Sequence, residues 1–109
     1  MSNNVRDNSK LHRFELDAEG HIAFSEYRRG AGLLTIMHTE VPKELEGRGI
    51  GSALIRGVLD FGAAQKLPVR LRVAKENPAR SLYERLGFSV TAEDDRKYEM
   101  TATPTGPAP

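Results

Sequence analysis

The segment LLTIMHTEVPKELEGRGIGSALIRGVLDFGAAQKLPVRLRVA, residues 33–74, decides the fold. Its first part, LLTIMHTEV (33–41), is apolar on both faces at the start, as expected of a strand covered on both sides. Residues 49–66 change period: Ile50, Leu54, Val58 and Phe61 recur at helical spacing, with Arg56, Asp60 and Lys66 elsewhere on the wheel. Pro68 then introduces VRLRVA (69–74), where Val69, Leu71 and Val73 share one face. Strand, helix and strand make a β-α-β unit, whose two strands are expected to run parallel with a right-handed crossover.

Upstream, residues 11–17 (LHRFELD) and 21–29 (HIAFSEYRR) alternate apolar and polar around Ala18, Glu19 and Gly20, the pattern of a β-hairpin. Downstream, Asn77 is placed as the cap of a short helix, with Pro78 at its first position, Leu82 and Leu86 four apart, and Gly87 as the stop. Residues 88–90 and 96–100 read as two closing strands around Glu93-Asp94-Asp95. The expected order is β-β-β-α-β-α-β-β, a mixed α/β domain over residues 11–100 with helices packed on one sheet. Residues 1–10 and 101–109 are expected to be flexible tails.

One domain is what 109 residues allow. Sixteen Lys and Arg against fifteen Asp and Glu leave a formal charge of +1, with four Phe and three Tyr and no basic stripe, which argues against a nucleic-acid binder. No Cys is present, so a disulfide scaffold, a thiolate metal site and a Cys nucleophile are excluded. His12, His21 and His38 lie on separate segments without ligand spacing, and no metal is expected. The polar start and short apolar runs point away from a signal peptide or membrane association and towards a cytoplasmic chain.

The densest chemical signal is EGRGIGS (46–52), between a strand end and a helix start. Glycines at alternate positions let a ligand approach the backbone, and a helix N-terminus favours phosphate. Arg48, Gly49, Ile50, Gly51 and Ser52 are therefore candidates for a pyrophosphate cradle. The spacing fits neither G-x-G-x-x-G nor a P-loop ending in G-K-[ST]. On the strand before it, His38 and Glu40 are two apart and share a face, and either could take a proton. Each also has a plain reading, His38 as a structural histidine and Glu40 as a solvated strand-end carboxylate.

VPKELEGRGIGSALI (41–55) followed by RVAKENPARSLYERLGF (72–88) resembles the GCN5-related N-acetyltransferase superfamily, and within it a compact single-domain branch. The resemblance implies that the Gly-rich loop binds the pyrophosphate of acetyl-CoA, and that backbone N–H groups around Glu40 and Val41 face the thioester carbonyl. It adds an Asn77 contact to the pantetheine arm beside that residue's capping role, and makes Tyr83 the proton donor to the leaving sulfur; otherwise Tyr83 is a core aromatic beside Leu82 and Leu86. Arg70, Arg72, Arg80 and Arg85 belong to a solvated face or meet phosphates. Two departures stand out. Glu46 replaces the family's usual Arg or Gln, and only residues 18–20 connect the first two strands, where the family carries two helices. The expected activity is direct acetyl transfer in a ternary complex to a primary amine, on a small molecule or a protein, by a monomer or homodimer. A non-catalytic acyl-CoA-binding or protein-interaction module is the alternative.

Overall fold

The computed structural model describes residues 5–104. The hairpin alternation becomes β2 (Arg13–Ala18) and β3 (His21–Gly30), followed by β4 (Leu33–Glu40), a 3-10 turn (Lys43–Leu45), α1 (Ile50–Gln65), β5 (Val69–Ala74), α2 (Ala79–Arg85), β6 (Ser89–Glu93) and β7 (Lys97–Ala102). Ahead of these lies β1 (Val5–Asn8), giving one seven-stranded sheet in the order β1-β2-β3-β4-β5-β7-β6. The β4–β5 pair is parallel and the other neighbours are antiparallel.

The strand β1 corrects the expected tail. It carries a single apolar residue, but Arg6 bonds both Glu15 and Asp17 of β2, at 2.7 Å in each case. Residues 9–12, and not 18–20, therefore connect the first two strands, so the departure from the two helices that the resemblance implies falls at residues 9–12. Likewise β7 runs two residues past the expected domain end at 100. The rest of the two expected tails, residues 1–4 and 105–109, lies outside the described residues.

Residues opposite one another in a ladder point to the same face. The registers Tyr27↔Ile36, Leu34↔Val69, Leu71↔Met100 and Val73↔Tyr98 thus gather one apolar face. Both helices lie on it. A Cβ on Gly62 of α1 would come within 2.9 Å of Val69 Cγ2 and of the Leu67 carbonyl oxygen, and Arg80 of α2 stacks 4.4 Å from the Tyr98 ring centroid. Leu34, Leu54, Val58 and Met100 are fully sealed there, each such side chain worth roughly 1.5–3 kcal/mol relative to exposure. No helix covers the other face among the described residues, so β4 is not covered on both sides as its sequence suggests. That face carries polar residues instead.

The short helix ends as its sequence predicts. Gly87 (φ +108°) donates to the Glu84 carbonyl and Phe88 to the Tyr83 carbonyl, the paired bonds of a Schellman motif. Its start is held by Asn77, whose Oδ1 accepts the Ala79 N–H at 2.8 Å.

Candidate active site

Leu45, fully buried, anchors the segment that leads from β4 to α1, and its N–H donates to the Pro42 carbonyl at 2.9 Å. Beyond it the glycines divide their roles. Gly47 (φ +81°) and Gly49 (φ +77°) occupy the left-handed region, so their need is conformational. Gly51 is helical, and a Cβ there would meet only Val41 Cγ2 at 3.8 Å, so its smallness serves open space. Gly49 caps α1 with its backbone, accepting the Ala53 N–H at 3.0 Å, and no side chain caps the helix. The N–H groups of residues 50–52 are left for a ligand, at the positive end of a 16-residue helix. Together with Ser52 they form an open, donor-lined cradle, and an anionic pyrophosphate fits it on charge and on space.

Arg48 does not reach into this cradle. Its guanidinium pairs with the Glu19 carboxylate from the β2–β3 turn, which holds Glu19 below the ordinary carboxylate value and raises Arg48. Glu19 itself adopts φ +52°, and nothing in the sequence links positions 29 residues apart.

The cradle opens onto a parting in the sheet. β4 and β5 pair only at Leu34↔Val69 and Thr35↔Arg70, and then both strands continue unpaired with each other. Crevices at the carboxyl ends of parallel strands are where α/β sheets bind ligands. At the same level the β3–β4 register slips, so that Tyr27 faces Ile36 but Glu26 faces His38, leaving Met37 as the extra residue. The bulge has a consequence for chemistry. Without it, His38 and Glu40 would share the helix side with Leu34 and Ile36; with it, they turn to the uncovered face.

There they come together as expected, His38 Nε2 lying 3.3 Å from Glu40 Oε1, with the imidazole 5.8 Å from the Phe24 ring. Both side chains are more than half exposed, at 56% and 59%, so burial does not single out either of them as the base. Tyr83 is half-buried on α2, with its ring edge-on to Phe88 at 5.9 Å, and burial pushes its hydroxyl above the ordinary phenol value. The contact is also the apolar partner of the Schellman motif. Asn77 serves as the helix cap described above.

Three features escape a reading of the sequence. Glu15 is buried to 3% exposure on the uncovered face and accepts hydrogen bonds from Arg13 (2.6 Å), Arg6 (2.7 Å) and Asn8 (3.1 Å). Arg13, first among these, holds its carboxyl below the ordinary value. The others are the Arg48–Glu19 pair and a cationic group around Arg70. The Arg13-Glu15-Asp17 alternation was visible, but its burial depends on β1.

The sequence and the fold define the class of protein. Residues 13–72 match the family described as GCN5-related N-acetyl-transferase, and the chain belongs to that family. Among curated proteins it is similar to Protein NATD1 of Mus musculus, 36% identical over an alignment 63 residues long that covers 52% of this chain and 57% of that one, and to Protein NATD1 of Homo sapiens at the same identity, covering 52% and 56%. The chain thus spans little more than half the length of the curated relatives it matches. Among solved structures, the ribosomal-protein-S18-alanine N-acetyltransferase from Escherichia coli superposes with a TM-score of 0.77 at 20% identity, covering 99% of this chain and 74% of that one. PaiA N-acetyltransferase from Thermoplasma acidophilum, in complex with coenzyme A, gives 0.76 at 21% identity over 90% and 65% of the two chains. These likenesses show a shared fold.

Proposed function

We propose that this chain is an acetyl-CoA-dependent N-acetyltransferase that passes the acetyl group directly to a primary amine while both substrates are bound. The observation that carries this reading is the backbone-capped start of α1, open at Gly51 and set at the mouth of the parted β4 and β5. Acetyl-CoA, when bound, supplies an acyl thioester. The N–H groups of residues 50–52 hold its pyrophosphate, with Gly49, Ser52 and Val41 shaping the approach. Arg48 joins them by exchanging Glu19 for phosphate, and Asn77 supports the pantetheine arm through its side-chain amide.

An amine with a pKa of about 10.4 is protonated at neutral pH and must lose a proton before it can attack. Glu40 Oε1 and His38 Nε2 stand on the uncovered face to accept it, directly or through water. Backbone N–H groups near Glu40 and Val41 steady negative charge on the carbonyl oxygen. The Tyr83 hydroxyl, kept protonated by burial, holds the proton for the departing sulfur. With no Cys in the chain, a thioester on the protein is not available as a relay.

The test pairs calorimetry of acetyl-CoA binding with thiol release across a panel of amines. Binding accompanied by amine-dependent release is the expected result. Binding with no release for any amine would reassign the chain to a non-catalytic acyl-CoA-binding module.

A further inference from the structure

The uncovered face holds a second charged region. A recess of about 400 Å³ straddles the parted strands and is lined by Arg28, Thr35, Met37, Arg70, Arg72 and Lys97. The ladders explain why these residues meet. Arg28 pairs with Thr35, Thr35 with Arg70, Arg72 with Glu99 and Ala74 with Lys97, all on the face away from α1. Four cations therefore surround one opening.

Little in the protein neutralises them. Arg28 is exposed and has no salt bridge among the described residues. Arg70 Nη2 donates to Thr35 Oγ1 at 3.3 Å, and its nearest carboxylate, Glu99, lies 3.9 Å away. The same Glu99 is 3.8 Å from Arg72, so one carboxylate at loose range serves two guanidiniums. Glu93 and Asp94 line an adjoining groove with Arg72 and Lys97, and Glu26 lines another beside Arg28 without forming a salt bridge to it, so neither Arg28 nor Arg70 has a carboxylate closer than 3.9 Å among the described residues.

We infer that this recess binds an anionic group of the acyl acceptor, so that the preferred acceptors are amines that also carry a carboxylate. The inference rests on the acetyltransferase reading above. Its motive is placement: Met37, the bulge residue between Thr35 and His38, borders the recess, and three residue steps of strand lead from Thr35 to His38, ~10 Å. An amine delivered to His38 and Glu40 would thus put a carboxylate about that far away between Arg28 and Arg70, where guanidinium forks grip carboxylate in two-point contacts.

Two measurements test it with ε-aminocaproate and its primary amide, which keeps the amine and lacks the carboxylate, as matched probes. The first is a titration of backbone amide NMR shifts, which needs no turnover. The acid should shift Thr35, Met37 and Arg70 saturably, the amide should not, and Arg28→Gln/Arg70→Gln should lose the response. The second is thiol release with acetyl-CoA. KM should be about tenfold lower for the acid than for the amide, the scale of one charge-assisted contact, and that preference should vanish in the double variant and survive in Arg28→Lys. Arg28→Gln alone, at an exposed unpaired site, guards against a folding defect. Equal shifts from acid and amide, or shifts that persist in the double variant, overturn the inference. So does a tenfold loss of acetyl-CoA affinity in that variant, which would give the cations to the cofactor's phosphates. Acid-specific shifts without thiol release for any amine would uphold the anion site and sink the acetyltransferase reading.

Discussion

On the helix side of the sheet Leu34, Val69 and Met100 are sealed, at no more than 1% exposure, while their neighbours Thr35, Arg70 and Thr101 on the opposite face stay half-buried. One face is held by apolar packing and the other by charge pairs such as Arg6–Glu15. The difference separates two tasks: α1 and α2 secure the sheet from one side, and the other, uncovered among the described residues, is the side from which we propose the acceptor enters. Substitutions one residue apart should therefore behave very differently. Leu34→Ala should cost about 2–5 kcal/mol in urea unfolding, whereas Thr35→Ala should stay under about 1 kcal/mol. Equal losses would mean that the open face is covered in solution.

The start of α1 sharpens the contrast between stability and binding. At Gly51 a Cβ meets only Val41 at 3.8 Å, and valine is a better helix former than glycine. Gly51→Val should therefore melt no lower than the wild type. It should nonetheless lower acetyl-CoA affinity by about 100-fold or more in calorimetry, because a branched side chain would fill the space in front of the free N–H groups. Gly49→Val should bind as poorly but also lose stability, since its φ of +77° costs an L-residue about 1–2 kcal/mol. Unchanged affinity in both would remove the pyrophosphate from this loop.

Tyr83 packs against Phe88, and the proposed proton transfer adds a second task that a single oxygen separates from the first. Tyr83→Phe keeps the ring against Phe88 and should leave the melting temperature unchanged. If the hydroxyl protonates the departing sulfur, turnover should fall by about 10²-fold with acetyl-CoA affinity intact. Normal turnover would leave Tyr83 as a packing residue of the α2 terminus.

The helix side of the molecule was legible in the sequence because its signal is periodic. Ile50, Leu54 and Val58 announce α1, and Pro78 and Gly87 bracket α2, within a residue or two of their observed ends. The open side was not, because its order depends on partners far apart in the chain. β1 is a strand by virtue of Glu15 and Asp17, and a segment such as Val5-Arg6-Asp7-Asn8 has no alternation that announces this alone. The bulge at Met37 is equally silent, yet it decides which face His38 and Glu40 occupy. The cradle was recognisable by its glycines, while the Glu19 that occupies Arg48 comes from a turn read only as a connector.

The charge network of the open face gives it a pH dependence that the apolar face lacks. Arg13 and its neighbours hold the Glu15 carboxyl below the unfolded value of about 4.3. A depressed folded-state value means that the stabilisation is complete above the unfolded pKa and is lost as the pH falls through the folded one. Melting temperature should thus decline as the buffer drops below about pH 4.3. Glu15→Gln should start lower at neutral pH and show a shallower acid decline. An identical slope in wild type and variant would place the acid sensitivity elsewhere.

The smallest effect is expected at the dyad on that same face. A base enclosed with its substrate contributes about 10²–10⁴-fold, but Glu40 and His38 are open to water, which can carry the amine proton in their place. Glu40→Gln keeps the shape of the side chain and removes its basicity, so kcat/KM should fall by no more than about tenfold at neutral pH. The loss should shrink in alkaline buffer, where the amine's own ionisation supplies the free base. His38→Gln should do less if Glu40 takes the proton. Should it instead remove the acidic limb of the kcat/KM profile while Glu40→Gln leaves that limb in place, the imidazole is the base and Glu40 orients it across their 3.3 Å contact. If neither substitution moves the profile, the proton leaves through water before attack. The bulge at Met37 would then matter for turning the strand towards the acceptor, independent of the two side chains it exposes.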